Sequence, residues 1–131
     1  AAGILAGFKV LVVDDEPDVR LFIGDILRDN GASVFEAADG EEGIRMAREK
    51  RPDLMTLDLS MPGTDGGKVF EAVRNDPGLK DLKVCVITGR PELRRLVYER
   101  PVPPPEGYLD KPLEAEVLLR NAHKILELAK T

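Results

Sequence analysis

Several features that would point to other classes of protein are scarce in this chain. It has a single cysteine, Cys85, so no disulfide can form within the chain, and we expect a reducing compartment such as the cytoplasm. No apolar run approaches the roughly 18 residues of a membrane span. There is one histidine, His123, and it lacks the companions that a histidine-based metal site needs. A secreted disulfide scaffold, a membrane protein and a zinc protein are therefore disfavoured.

The balance of charge argues against direct binding to nucleic acid. The net charge is −5, and acidic residues are spread along the chain instead of being confined to a tail. DNA and RNA backbones attract clustered lysine and arginine, which this composition does not supply in excess. With 131 residues, the chain is expected to fold as one domain with a substantial core. Residues 1–7 are interpreted as a leader or cloning remnant, and residues 8–131 as the domain.

Apolar runs and amphipathic segments alternate along the chain. Short continuous apolar runs indicate strands covered on both faces, and 3.6-residue periodicity between them indicates helices. Five alternations predict an α/β fold, in which a parallel sheet carries helices on both faces. The predicted strands are Phe8–Val13, Ser33–Ala37, Asp53–Asp58, Leu82–Thr88 and Gly107–Leu109. The predicted helices begin at Pro17, Gly40, Gly66, Pro91 and Glu114 and end near Asn30, Lys50, Asn75, Glu99 and Leu128.

Acidic residues stand where two of the apolar strands end. Asp14 and Asp15 follow the first predicted strand, and Asp58 ends the third. In parallel sheets, ligands bind outside the carboxyl ends of the strands, so these three carboxylates should meet there. Like charges this close require a cation, and Mg²⁺ prefers oxygen ligands. The sequence therefore predicts a magnesium site at this edge of the sheet.

Two further strand ends add groups that suit a phosphoryl ligand. Thr88 would supply a hydroxyl and Lys111 a positive charge, which together with the metal could neutralise a phosphoryl group. No glycine-rich nucleotide loop is present, so the phosphoryl group is not expected to come from tightly held ATP. Asp58, alone at the end of its strand, is the best candidate for a nucleophile that forms an acyl phosphate.

Four segments resemble one known family. They are Val12-Val13-Asp14-Asp15-Glu16-Pro17, Leu57-Asp58-Leu59-Ser60-Met61-Pro62-Gly63-Thr64-Asp65-Gly66, Ile87-Thr88-Gly89 and Tyr108-Leu109-Asp110-Lys111-Pro112. Their order and spacing, from about Phe8 to Leu128, are similar to those of the receiver domain of two-component response regulators. The resemblance implies a doubly wound, flavodoxin-like five-stranded sheet with strand order 2-1-3-4-5.

The resemblance also implies roles for the acidic residues. Asp58 would accept a phosphoryl group from a histidine kinase or a phosphotransfer protein. Asp14, Asp15, Asp58 and the backbone carbonyl of Ser60 would hold Mg²⁺. The chemistry would be confined to phosphorylation and dephosphorylation of the chain itself, so the protein would be a signalling module and not an enzyme acting on a separate substrate.

A second set of implied roles concerns switching. Lys111 would pair with the phosphoryl group, Thr88 would hydrogen-bond it and Tyr108 would turn inward when Thr88 moves. Downstream protein partners would bind the face formed by helix 4, strand 5 and helix 5. The family's Lys–Pro peptide bond, here Lys111–Pro112, is commonly cis.

One segment departs from the family's pattern and keeps alternatives open. Pro101, Pro103, Pro104 and Pro105 precede the fifth strand, so the fourth helix must be short or displaced. The favoured interpretation is a stiff extended connector, in preference to a proline-motif ligand. A functional interpretation is a partner surface unlike the family's usual one, which would affect the Thr88–Tyr108 switch more than the phosphorylation chemistry. A degenerate receiver acting as a constitutive interaction module is one alternative. An aspartate-nucleophile phosphatase is another, although the acid it would want two residues after Asp58 is Ser60.

Overall fold

The computed structural model describes residues 3–63 and 65–129 and contains one five-stranded parallel sheet. Its strand order is β2-β1-β3-β4-β5, which confirms the predicted doubly wound topology. Every adjacent pair of strands is parallel, as the alternation of strands and helices requires. The strands are β1 (Lys9–Val13), β2 (Ser33–Ala37), β3 (Leu54–Asp58), β4 (Lys83–Thr88) and β5 (Gly107–Asp110).

Five α-helices connect and cover the strands, and local signals explain where they begin. Proline occupies the first position of the first helix, where a missing N–H costs nothing. The Asp39 carboxylate accepts a hydrogen bond from Glu42 N, and Asp65 accepts from Gly67 N and Lys68 N, so both residues act as N-caps. The helices are α1 (Pro17–Asp29), α2 (Gly40–Lys50), α3 (Gly66–Asn75), α4 (Arg95–Tyr98) and α5 (Ala115–Ala129).

The core lies in two layers, one on each face of the sheet. Alternate side chains of β1 point into opposite layers, Leu11 into one and Val10 into the other. Helices α2, α3 and α4 cover the first layer, where Phe70 is fully buried. Helices α1 and α5 cover the second, through residues such as Leu27 and Leu118. Each β3 residue is buried, which places Asp58 at the end of the most enclosed strand.

The fourth helix is shorter than the predicted Pro91–Glu99 segment. A 3-10 turn covers Pro91–Arg94, and α4 itself contains only Arg95–Tyr98. Pro101 disfavours helical geometry at Arg100, and the chain continues from α4 through a turn and bends. This outcome agrees with the expectation that the proline-rich segment limits the fourth helix.

Two arginines fasten the proline-rich segment to α3. The Arg74 guanidinium donates hydrogen bonds to the carbonyl oxygens of Pro103 at 3.0 Å and Pro104 at 2.6 Å, and to the carboxylate of Glu106 at 2.9 Å. Arg100 Nη1 donates to the carboxylate of Glu71, also on α3, at 3.1 Å. Residues 99–106, the connector between α4 and β5, are therefore held in place by side-chain hydrogen bonds instead of the backbone hydrogen bonds of a helix.

The residues before β1 pack against the domain. Leu5 has no exposed surface and belongs to the core layer under α1 and α5, and its N–H donates to Asn30 O at 2.8 Å. The predicted division at residues 7 and 8 remains an expectation. Residues 1–2 of the expected leader and residues 130–131 of the expected domain lie outside the described part of the chain.

Candidate functional site

The carboxyl ends of β1 and β3 bring four carboxylates together. Val13 pairs with Leu57 in the sheet, so the residues that follow each of them become neighbours. Asp14, Asp15, Glu16 and Asp58 each offer an oxygen, and these oxygens lie within 4.8 Å of one another. Asp14 and Asp58 are each only 1% exposed. The three predicted aspartates thus meet as expected, and Glu16 joins them.

Lys111 lies at the centre of this acidic cluster. Its Nζ is 3.0 Å from Asp14 Oδ2, 3.1 Å from Glu16 Oε1 and 3.4 Å from Asp58 Oδ2. Burial lowers the pKa of Lys111, but hydrogen bonding to Asp14 and the charges of Asp58 and Asp14 outweigh that effect, so its pKa is raised overall. The lysine therefore keeps its positive charge where a phosphoryl group would need it.

The two oxygens of Asp58 have different environments. Oδ1 accepts hydrogen bonds from Ser60 N at 3.0 Å and from Ser60 Oγ at 3.1 Å. Oδ2 faces the Lys111 ammonium instead. Ser60 thus fixes the plane of the carboxylate through one oxygen, and the other oxygen is directed toward the charged centre of the site.

Asp14 is a buried carboxylate whose two oxygens have different partners. Its Oδ1 accepts a hydrogen bond from Glu16 N at 2.9 Å, whereas Oδ2 is buried and meets only the ammonium of Lys111 among the described residues. Burial raises the pKa of Asp14, the Glu16 and Lys111 hydrogen bonds lower it, and the nearby Asp58 charge raises it again. The pKa of Asp14 is raised overall, so ionising this carboxyl group costs more free energy in the folded protein than in water.

These donors fit a magnesium ion. Mg²⁺ takes hard oxygen ligands, and the Lys111 ammonium at 3.0 Å is the one polar partner found for the buried Asp14 Oδ2 among the described residues. Asp15 is half-buried beside it and Asp58 Oδ2 is close by. A divalent cation would neutralise the mutual repulsion of the carboxylates and would also coordinate the buried Asp14 oxygen.

Thr88 ends β4, next to the backbone of Lys111, and Tyr108 lies on the neighbouring strand β5. Thr88 is fully buried, its Oγ1 accepts a hydrogen bond from Arg90 N at 3.1 Å, and its carbonyl oxygen accepts from Lys111 N at 2.9 Å. Tyr108 pairs with Val86 in the sheet, two residues before Thr88. The Lys111–Pro112 peptide bond is cis. The switching roles of Thr88 and Tyr108 remain predictions.

Sequence reasoning missed the contributions of Glu16 and Arg20. Glu16 pairs with Lys111, and Arg20 Nη1 donates a hydrogen bond to Asp14 O at 2.7 Å. Glu16 could have been noticed because it directly follows the acidic pair. Arg20 gave no sequence signal, since its reach back over the first turn of α1 depends on the fold.

Comparison with known proteins agrees with this geometry. The model of the response regulator receiver domain family matches residues 10–123. The chemotaxis protein CheY of Pseudomonas aeruginosa is 36% identical over 120 residues, which cover 91% of this chain and 96% of that protein. The transcriptional regulatory protein PrrA of Mycobacterium tuberculosis is 44% identical over 82 residues, which cover 63% of this chain and only 34% of PrrA.

Solved structures give the same result at the level of the fold. The structure of the chemotaxis response regulator CheY4 of Vibrio cholerae aligns with a TM-score of 0.80 and 31% identity, covering 90% of this chain and 98% of that one. A putative response regulator from Chloroflexus aurantiacus aligns with a TM-score of 0.81 and 30% identity, covering 92% and 98%. Given this agreement with the strand order and the acidic cluster, the chain belongs to the receiver domain family of two-component response regulators.

Proposed function

We propose that this receiver domain accepts a phosphoryl group on Asp58 from a histidine kinase or a phosphotransfer protein, in the presence of Mg²⁺. The observation that carries the proposal is the asymmetric environment of the buried Asp58 carboxylate. Ser60 holds Oδ1, while Oδ2 lies 3.4 Å from Lys111 Nζ beside Asp14. A carboxylate placed in this way has one oxygen fixed and one oxygen available to a phosphorus atom.

The chemistry follows from these positions. Asp58 Oδ2 attacks the phosphorus of a phosphohistidine; the new O–P bond gives an acyl phosphate as the P–N bond breaks and its electron pair returns to the imidazole. Lys111 pairs with the phosphoryl oxygens, and the Thr88 hydroxyl donates a hydrogen bond to one of them. Asp14, Asp15, Asp58 and the Ser60 carbonyl would hold Mg²⁺, which would supply positive charge beside the transferred group.

Output follows from the rearrangement around the new phosphoryl group. Thr88 moves toward it, Tyr108 turns inward, and the α4–β5–α5 face then presents a different surface to a downstream protein partner. The chain acts on itself and turns over no separate substrate, and it works in the cytoplasm without contacting nucleic acid directly. No described helix has the length and apolar character required to cross a membrane.

Small-molecule phosphorylation tests the proposal. Incubation with acetyl phosphate and Mg²⁺ should add one phosphoryl group, seen as a mass increase, and EDTA should prevent it. Hydroxylamine should release the group as phosphate and leave a hydroxamate on the aspartate, as expected for an acyl phosphate. The Asp58→Asn variant should remain unlabelled. Asp81→Asn, a change to an exposed aspartate before β4, serves as the matched control and should be labelled like the parent.

Two outcomes would contradict the proposal. Labelling of Asp58→Asn at the parental rate would place the acceptor elsewhere. Failure of the parent and Asp81→Asn to be labelled, by acetyl phosphate or by any phosphorylated histidine donor, would favour the degenerate receiver that binds partners constitutively.

A further inference from the structure

An arginine of α1 is bonded to the loop that carries two of the acidic residues. Arg20 Nη1 donates a hydrogen bond to the carbonyl oxygen of Asp14 at 2.7 Å, and Arg20 Nε donates to Glu36 Oε1 on β2 at 3.3 Å. The Arg20 side chain is only 19% exposed, so both bonds are largely shielded from water. One guanidinium therefore joins the start of α1, the end of β1 and the edge strand β2.

The bond to Asp14 O acts on the peptide group between the two aspartates. A peptide group is planar, so a hydrogen bond to the Asp14 carbonyl fixes the orientation of the whole Asp14–Asp15 peptide. Neighbouring bonds run from Asp14 N to Ala37 O at 3.1 Å and from Glu16 N to Asp14 Oδ1 at 2.9 Å. Arg20 is the donor found for Asp14 O among the described residues, so the direction of the Asp15 carboxylate depends on it.

Glu36 holds the arginine in place for this task. Its Oε1 accepts from Arg20, and its Oε2 accepts from Arg28 Nη2. Glu36 pairs with Val12 in the sheet, which places its carboxylate beside β1 and two residues before Asp14. A guanidinium carries several donors in a rigid plane, so Arg20 can bond a carbonyl and a carboxylate at once. A lysine ammonium at this position has no such fork.

We infer that Arg20 is a positioning residue for the magnesium site, because it fixes the peptide that joins Asp14 and Asp15. The inference rests on the proposed function, in which these two carboxylates hold Mg²⁺. Loss of a residue that orients metal ligands typically weakens metal binding by about 10- to 100-fold. The positive charge of Arg20 by itself repels a cation, so a purely electrostatic role would make its removal strengthen Mg²⁺ binding. The two roles therefore predict effects of opposite sign.

Mg²⁺ binding without any phosphodonor provides the test. Titration of ¹⁵N-labelled protein with MgCl₂, followed by ¹H–¹⁵N resonances, gives the Kd, and Arg20→Gln should raise it about ten-fold. Arg28→Gln is the matched control, since it removes the other arginine on Glu36 and no contact with Asp14 is found for Arg28 among the described residues. Its Kd should stay within about two-fold of the parental value. Arg20→Lys keeps the charge without the fork and should lie between the parent and Arg20→Gln.

Urea unfolding separates positioning from a general loss of stability. Arg20→Gln and Arg28→Gln both lose a bond to Glu36, so both should lower the free energy of unfolding in EDTA. Only Arg20→Gln should reduce the stabilisation that added Mg²⁺ gives to the folded state.

Three results would overturn the inference. One is an Mg²⁺ affinity of Arg20→Gln equal to or higher than that of the parent, and another is an equal loss of affinity in Arg28→Gln. If Arg20→Gln did not fold, a parental affinity in Arg20→Lys would overturn it in the same way. The proposed function fails separately: with Mg²⁺ binding weakened in Arg20→Gln as expected but the parental Asp58 not phosphorylated by any donor, the inference stands and the proposed function does not.

Discussion

Asp14 shows how the site's function and the protein's stability compete at a single residue. Its carboxylate is almost fully buried, and one of its oxygens meets only the ammonium of Lys111 among the described groups. Burying a charge without full hydrogen bonding is unfavourable, which is why the pKa of Asp14 is raised. A cation bound to the same oxygen would offset this cost.

Replacing Asp14 by asparagine should therefore stabilise the metal-free protein. In EDTA at pH 7, we expect Asp14→Asn to increase the free energy of unfolding by an amount on the order of 1 kcal/mol, measured by urea denaturation. Because the folded-state pKa of Asp14 lies above its ordinary value, the folded parent binds this proton more tightly than the unfolded chain. The advantage of asparagine should be fully present above that raised pKa and should vanish as the pH falls below the ordinary value.

Added Mg²⁺ should reverse the order of stability. The parent should gain stability with metal concentration, since the ion binds the folded state, and Asp14→Asn should gain much less. Asp81→Asn, the exposed control, should follow the parent under both conditions. Loss of more than about 1 kcal/mol in Asp14→Asn without metal would mean that the ion pair with Lys111 outweighs the cost of burial.

Among the elements, α4 and the connector after it differ most from a regular helix. Four prolines in the connector lack a backbone N–H. The connector is instead held by hydrogen bonds from the Arg74 side chain of α3 to its carbonyl oxygens. The Arg74 side chain is only 8% exposed and also donates to Leu82 O, so one guanidinium joins α3, the start of β4 and the connector. The position of β5 therefore depends on a long-range arginine contact.

Removal of this guanidinium should be costly. We expect Arg74→Ala to lower the free energy of unfolding by about 2–3 kcal/mol, because it leaves carbonyl oxygens and the Glu106 carboxylate without their donor. Arg45→Ala is the matched control on α2, where the side chain is 65% exposed and its ion pairs are 3.8–3.9 Å long. That change should stay within about 0.5 kcal/mol. Equal effects of the two variants in chemical denaturation would show that the connector holds its place without Arg74.

At the scale of the whole molecule, the two core layers extend beyond the sheet and its helices. Leu5 fills part of the layer beneath α1 and α5, whereas its neighbour Ile4 is 49% exposed. The turn that carries them is tied to the end of α1 through Asn30 O. Residues that looked like a loose leader in the sequence thus include a buried side chain.

This pair provides a test of where the folded unit begins. Leu5→Ala should destabilise the protein by about 2–4 kcal/mol, since it removes a fully buried leucine side chain. Ile4→Ala changes a similar volume at an exposed position and should cost no more than about 0.5 kcal/mol. Both values come from urea or thermal unfolding. If the two variants unfolded alike, residues 3–7 would be a dispensable leader as the sequence suggests.

Much of this protein is determined by local sequence. Apolar runs such as the one from Leu54 to Leu57 predict buried parallel strands, and the acidic residues that end two of them predict a charged edge. Capping residues and prolines mark most helix starts because their effects act within a few residues. The acidic edge and the alternation of elements could therefore be predicted from periodicity and position alone, while the strand order came from the family resemblance.

Other features were decided only when distant segments met in the tertiary structure. Leu5 is buried because a layer of two helices has room for it, and Arg74 is buried because the connector passes over α3. Glu16 shares Lys111 with the aspartates, and Arg94 lies over Tyr108, through contacts between residues of separate segments. Periodicity reports which face of an element is buried, but it contains no information about which long polar side chain from another element will reach that face.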